Sequence, residues 1–115
     1  MFDLVWTREA RERYDSLYEA AKRAQSTRLA KGKHKSSRQE GLFKQVNSTL
    51  GFLQSNPRHP GLHTHQYYSL RNPYDNDQKV FEAYVQSKTP GAYRVFWCYG
   101  PQRGQITVIA ITPHP

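Results

Sequence analysis

The closing stretch constrains the fold more than any other: Gln105-Ile106-Thr107-Val108-Ile109-Ala110-Ile111-Thr112-Pro113-His114-Pro115. A tail this apolar cannot float in water. It reads as a strand that buries alternate residues of Ile106 to Ile111 on a sheet. That reading pins His114 at a sheet edge, one residue from the end, with prolines on both sides stiffening the backbone. A titratable ring held so rigidly, on a chain of net charge +8, suggests chemistry on an anion.

At 115 residues the chain makes a single domain, 1–115, with one modest core. Its 37% hydrophobic and 13% aromatic content is that of a folded protein, not a disordered basic tail. Seventeen Lys and Arg against nine Asp and Glu point to a polyanionic partner, nucleic acid first and an anionic membrane surface second. The single cysteine, Cys98, allows no internal disulfide and fits a reducing compartment. It lies in an apolar strand and reads as a small core residue. No apolar run approaches the ~18 residues of a membrane span, and Asp3 interrupts Phe2 to Trp6, so no signal peptide is expected. A cytoplasmic protein is the expectation.

Along the chain, Phe2 to Trp6 reads as a short opening strand and Thr7 as a helix N-cap. Ala10, Tyr14, Leu17, Tyr18 and Ala21 then fall at helical spacing, predicting a helix over 8–24. Residues 26–36 lose periodicity around Gly32, a basic loop that either keeps the protein soluble or tracks phosphates. Ser37-Arg38-Gln39-Glu40 is a capping box, and Phe43, Val46, Leu50 and Leu53 predict a second helix over 37–55, stopped by Pro57. Leu17, Phe43, Val46, Leu50, Leu53 and Ile109 are the expected core. Beyond it, Tyr67 to Leu70, Val80 to Gln86, Tyr93 to Tyr99 and Gln105 to Thr112 read as strands. Thr89-Pro90-Gly91-Ala92 suits a type II turn. The order β-α-α-β-β-β-β gives an α+β domain, a helical hairpin packed on a mostly antiparallel sheet.

Arg94 interrupts an apolar strand, and a guanidinium is too costly to bury unpaired, so it faces water or an anion. Glu82 shares a strand face with Tyr84 and could act as a base or pair with Arg94; the ion pair is the favoured expectation. His63-Thr64-His65 raises the question of zinc, but without a carboxylate or cysteine in reach the signal is weak. Loop packing, or contacts from Arg58, His63 and His65 to phosphate and base, suit the segment better.

Taken together, the opening strand and capped helix, Asn56-Pro57-Arg58-His59-Pro60-Gly61-Leu62-His63-Thr64-His65, Tyr93-Arg94-Val95-Phe96 and Ile109-Ala110-Ile111-Thr112-Pro113-His114 resemble the RelE/ParE toxin superfamily over nearly the whole chain. The resemblance implies a bacterial type II toxin that uses no metal or cofactor and is neutralised by a cognate antitoxin. RelE-like members cut mRNA in the ribosome; ParE-like members poison DNA gyrase instead. By position, Arg94 matches the strand arginine used on the scissile phosphate, and His114 the near-terminal histidine that the YoeB-like branch uses as general acid. Where RelE-like members carry lysines this chain has Glu82 and Tyr84. The catalytic carboxylate position of the YoeB-like branch is Pro60 here, which leaves the base unassigned. The expectation is a ribosome-dependent mRNA endonuclease acting through Arg94, His114 and Glu82, with Arg58, His63, His65, Lys31, Lys33 and Lys35 on RNA. The alternatives are a gyrase inhibitor, or a basic RNA-binding domain without activity.

Overall fold

Two helices lie against one face of a five-stranded sheet in the computed structural model, which describes residues 1–87 and 89–114. Strand β1 (Asp3–Trp6) leads into α1 (Arg8–Ala30) and α2 (Arg38–Ser55). A single 3₁₀ turn (Pro60–Leu62) precedes β2 (His65–Gln66), β3 (Phe81–Tyr84), β4 (Tyr93–Tyr99) and β5 (Gln105–Pro113). The spatial order is β1-β5-β4-β3-β2, with β1 parallel to β5 and every other pair antiparallel. The closing strand is therefore interior to the sheet, between β1 and β4. His114 extends its ladder, donating its backbone N–H to the Ala92 carbonyl at 2.8 Å. The proline expected to stiffen His114 from beyond, Pro115, lies outside the described residues.

Helix α2 starts where its sequence says it should. The Ser37 hydroxyl accepts from the Glu40 amide and the Glu40 carboxylate accepts from the Ser37 amide, so two orphan donors are satisfied reciprocally. Helix α1 runs six residues past its expected end at Ala24, to Ala30. Its last turns are mostly exposed, so no apolar stripe marks them. They are held by Arg28, whose Nε lies 2.8 Å from Glu40 on α2, and released at Gly32, whose φ of +67° opens the left-handed region.

Ala10, Val46, Leu50 and Leu53 from the helices meet Ala83, Val95, Trp97, Ile106, Val108 and Ile111 from the sheet. Leu17, Phe43 and Ile109, expected in this core, are only half-buried. For Ile109 the cause is a β-bulge: Phe96 faces Ala110 and Trp97 faces Val108, so Ile109 has no partner on β4. Thr7 secures the bulge while capping α1, donating its amide to the Val108 carbonyl and its hydroxyl to the Ile109 carbonyl at 2.7 Å. The simple alternation expected from Ile106 to Ile111 therefore slips by one residue.

Tyr67 to Leu70 is not a strand; the short pairing moves forward to His65–Gln66, and β3 is trimmed from the expected Val80–Gln86 to Phe81–Tyr84. Tyr67 instead packs its ring 4.6 Å from Phe96 on the face opposite the helices. Tyr74 covers the same face and shares a 2.8 Å hydrogen bond with the Thr107 hydroxyl. The Thr89–Ala92 turn forms as expected, with the Ala92 amide on the Thr89 carbonyl and Gly91 at φ +75°.

Candidate functional site

Strand alternation sends Ala83, Val95 and Trp97 to the helices and Glu82, Tyr84, Arg94 and Phe96 to the other face. Without the bulge, His114 would share parity with Ile106 and Val108 and point at the helices. The extra residue Ile109 turns Ala110, Thr112 and His114 to the face that carries Glu82. Three residues singled out in the sequence, Glu82, Arg94 and His114, thus line one open concavity of about 560 Å³ with His65, Tyr84, Thr89 and Pro90.

Glu82 is the buried centre of this site, 1% exposed. Its Oε1 lies 2.6 Å from His65 Nε2 and its Oε2 lies 2.7 Å from His114 Nδ1. The β2–β3 register places His65 directly opposite Glu82. His65 Nδ1 in turn sits 3.1 Å from the His63 carbonyl. A carbonyl and a carboxylate both offer acceptor oxygens, so one face of the ring meets the loop backbone and the other the buried acid. Both His65 nitrogens are thereby engaged. The tautomer of His114 follows from the same network: Nδ1–H donates to the carboxylate, which leaves Nε2 as the nitrogen that can exchange a proton with a ligand. His114 is about half-exposed and can be reached from solvent.

Arg94 differs from expectation in two ways. It makes no ion pair with Glu82, because both carboxylate oxygens face imidazoles. It is also almost wholly buried, at the floor of the concavity: only 3% of its surface is exposed. Its cross-strand neighbour Tyr84 shields it, with the guanidinium carbon 3.7 Å from the ring centroid. Nη1 donates to the carbonyls of Gln86 and Tyr93 at 2.9 and 3.0 Å. Nε is buried with no hydrogen-bond partner, and among the described residues no carboxylate stands within the 4.0 Å of a salt bridge. A buried guanidinium without a counter-anion is expensive unless a ligand supplies the charge.

The other RNA-binding candidates fall elsewhere. His63 borders the site, its ring 5.1 Å from Tyr84. It also lines a second concavity with Arg58. Lys31, Lys33 and Lys35 sit at the end of the helical hairpin, lining a third hollow with Arg23 and Arg28. Cys98 is buried, and desolvation pushes its thiol up to about 11, which keeps it un-ionised and inert as a nucleophile. Among the described residues no group of three or more His, Cys, Asp or Glu is placed to hold a metal ion. No helix there is long and apolar enough to cross a membrane. The pairing of His65 with Glu82 was missed in the sequence; the one signal for it was the alternate spacing of His63 and His65, which gives one of them the inward face of an edge strand.

A helical hairpin on one face of a β1-β5-β4-β3-β2 sheet is a fold this chain shares with solved toxin structures. The chain is similar to the YoeB/ParE toxin from Agrobacterium tumefaciens, with a TM-score of 0.60 over 98% of this chain and 99% of that one, at 11% identity. It is also similar to the YoeB dimer from Staphylococcus aureus, with a TM-score of 0.57 over 99% and 98% of the two chains, at 10% identity. No protein-family model and no curated protein sequence matches the chain. At these identities the likeness is one of fold, and residue roles must be argued from this site.

Proposed function

We propose that the protein is the toxin of a bacterial type II toxin–antitoxin pair and acts as a metal-independent, ribosome-dependent mRNA endonuclease. The observation that carries this reading is a buried carboxylate holding two imidazoles beside a buried guanidinium that has no counter-anion among the described residues. Metal-free RNA cleavage needs attack of a 2′-hydroxyl on the adjacent phosphorus, a proton for the departing 5′-oxygen, and positive charge on the crowded phosphorane. His114 Nε2 donates that proton. Arg94 stabilises the added charge, and a phosphate there relieves its unpaired burial. Glu82 touches no substrate; it is a positioning residue that fixes the tautomer and direction of His114, as a second carboxylate–histidine contact does with His65. Because both its oxygens are occupied, Glu82 is not the group that removes the 2′-proton.

The basic end of the helical hairpin, with Lys31, Lys33 and Lys35, suits docking on ribosomal RNA phosphates. A cognate antitoxin segment, acidic or amphipathic, covers the basic surface in the bacterial cytoplasm. Cleavage of a defined mRNA on purified ribosomes tests the reading. The expected result is cleavage by wild type, lost by ~10²-fold or more in His114→Ala and in Arg94→Ala, with both variants folded. Growth arrest that survives both substitutions, with loss of DNA supercoiling, would replace this reading with gyrase inhibition.

A further inference from the structure

The concavity that Arg58 and His63 share belongs to no step of the proposed cleavage, yet it has the character of a ligand site. It measures about 480 Å³, room for one nucleotide, and Phe81, Trp97 and Tyr99 form its aromatic wall. Those rings already interlock: Phe81 and Trp97 lie 4.8 Å apart, and Trp97 and Tyr99 5.0 Å apart, nearly edge to face. Tyr99 keeps 44% of its surface exposed, so a further ring can be laid against it. Thr64 Oγ1 and Trp97 Nε1, on two lining residues, are buried polar atoms without partners among the described residues. An unmet buried donor costs about 1–3 kcal/mol, a penalty that a site without a ligand has no reason to keep. Arg58, exposed at the rim, supplies a cation.

The approach to this concavity is also strained. His63 has φ +48°, in the left-handed region that a residue with a Cβ rarely adopts. That conformation turns the chain so that the His63 ring lies on Tyr84 while His65, two residues on, reaches Glu82. His63 therefore walls the aromatic concavity and touches the catalytic one through the Tyr84 ring.

We infer that the aromatic concavity is a nucleotide subsite: it takes the base of a single-stranded RNA nucleotide neighbouring the scissile phosphate, stacked on Tyr99, with the backbone phosphate held by Arg58. Aromatic surface beside a cation is the chemistry that binds single-stranded nucleic acid with little sequence preference. The inference rests on RNA being the substrate, but not on the protein's cutting it.

The test is equilibrium binding of a short, fluorescently labelled RNA made non-cleavable by a 2′-deoxy substitution, in the absence of ribosomes. A 4-thiouridine is placed in turn on each side of the deoxy position for photo-cross-linking. Wild type is expected to bind and to cross-link at Tyr99 or His63 from one of the two positions. Tyr99→Ala is expected to weaken binding roughly tenfold, the scale of one lost base stack. Arg58→Ala is expected to weaken it and to flatten its salt dependence by about one counterion. Both residues are exposed, and circular dichroism confirms the fold of each variant. Wild type that fails to bind the RNA, cross-links confined to the hairpin, or variants that bind as wild type does would each overturn the inference and leave the concavity to a protein partner. Failure of ribosome-dependent cleavage alone would overturn the nuclease reading and leave this one standing.

Discussion

His114 Nδ1 lies 2.7 Å from Oε2 of Glu82, a contact that closes 32 residues of chain onto a carboxylate 1% exposed. The buried acid fixes which nitrogen of His114 faces outward, and that nitrogen is the one a substrate meets. Glu82→Gln keeps the size of the side chain but offers an amide that can satisfy only one ring as an acceptor. Cleavage on ribosomes is expected to fall by ~10² to 10⁴-fold, the range seen when a catalytic imidazole loses its orienting carboxylate. RNA binding should change little, because Glu82 is not in contact with solvent. A Glu82→Gln variant that cleaves at the wild-type rate would remove Glu82 from the mechanism.

Arg94 should trade stability against function. Its guanidinium is buried with no carboxylate partner among the described residues, and Arg94→Met fills the same space without a charge. The variant is expected to be as stable as wild type or more so, by on the order of 1 kcal/mol, while losing cleavage. Urea denaturation and the ribosome assay measure the two halves separately. A marked loss of stability would mean that the hydrogen bonds to Gln86 and Tyr93 outweigh the desolvation of the charge.

The helical hairpin has its own pH dependence. The Arg28 hydrogen bond, followed by the Ser37 amide, holds the Glu40 carboxyl down at about 2 from its ordinary 4.5. A lowered folded value means that the unfolded chain takes up the proton first. The contribution of Glu40 is therefore complete above about 4.5 and is lost as pH falls toward about 2. The difference in melting temperature between wild type and Glu40→Gln should be constant near neutrality and shrink through that acid window. A difference that persists at the acid end would assign the effect to helix geometry and not to charge.

Core packing of α2 is tested at Leu50, 5% exposed against the sheet. Leu50→Ala should cost about 2–5 kcal/mol, since the rigid sheet beneath it cannot collapse into the space left. Denaturant titration reads this directly, and a loss below about 0.5 kcal/mol would show that the helix packs loosely there.

The sequence by itself determined the elements that local chemistry specifies. The Ser37–Glu40 capping box, the Leu50 and Leu53 stripe, the turn at Gly91 and the β-branched closing strand are each set by neighbours within a few residues. It also marked Glu82, Arg94 and His114, because each is a polar group where apolar residues surround it. Tertiary structure decided what these residues do to one another. The end of α1 beyond Ala24 depends on the Arg28–Glu40 contact between helices, and no periodic pattern could announce it. His65 reaches Glu82 because a two-residue edge strand pairs in one register. Above all, Ile109 bulges because Thr7, more than a hundred residues earlier in the chain, bonds the carbonyls on β5. A strand has a period of two, so one extra residue reverses every side chain after it. That single slip carries His114 from the helix face to the carboxylate, and alternation read along the chain alone assigns it to the wrong side.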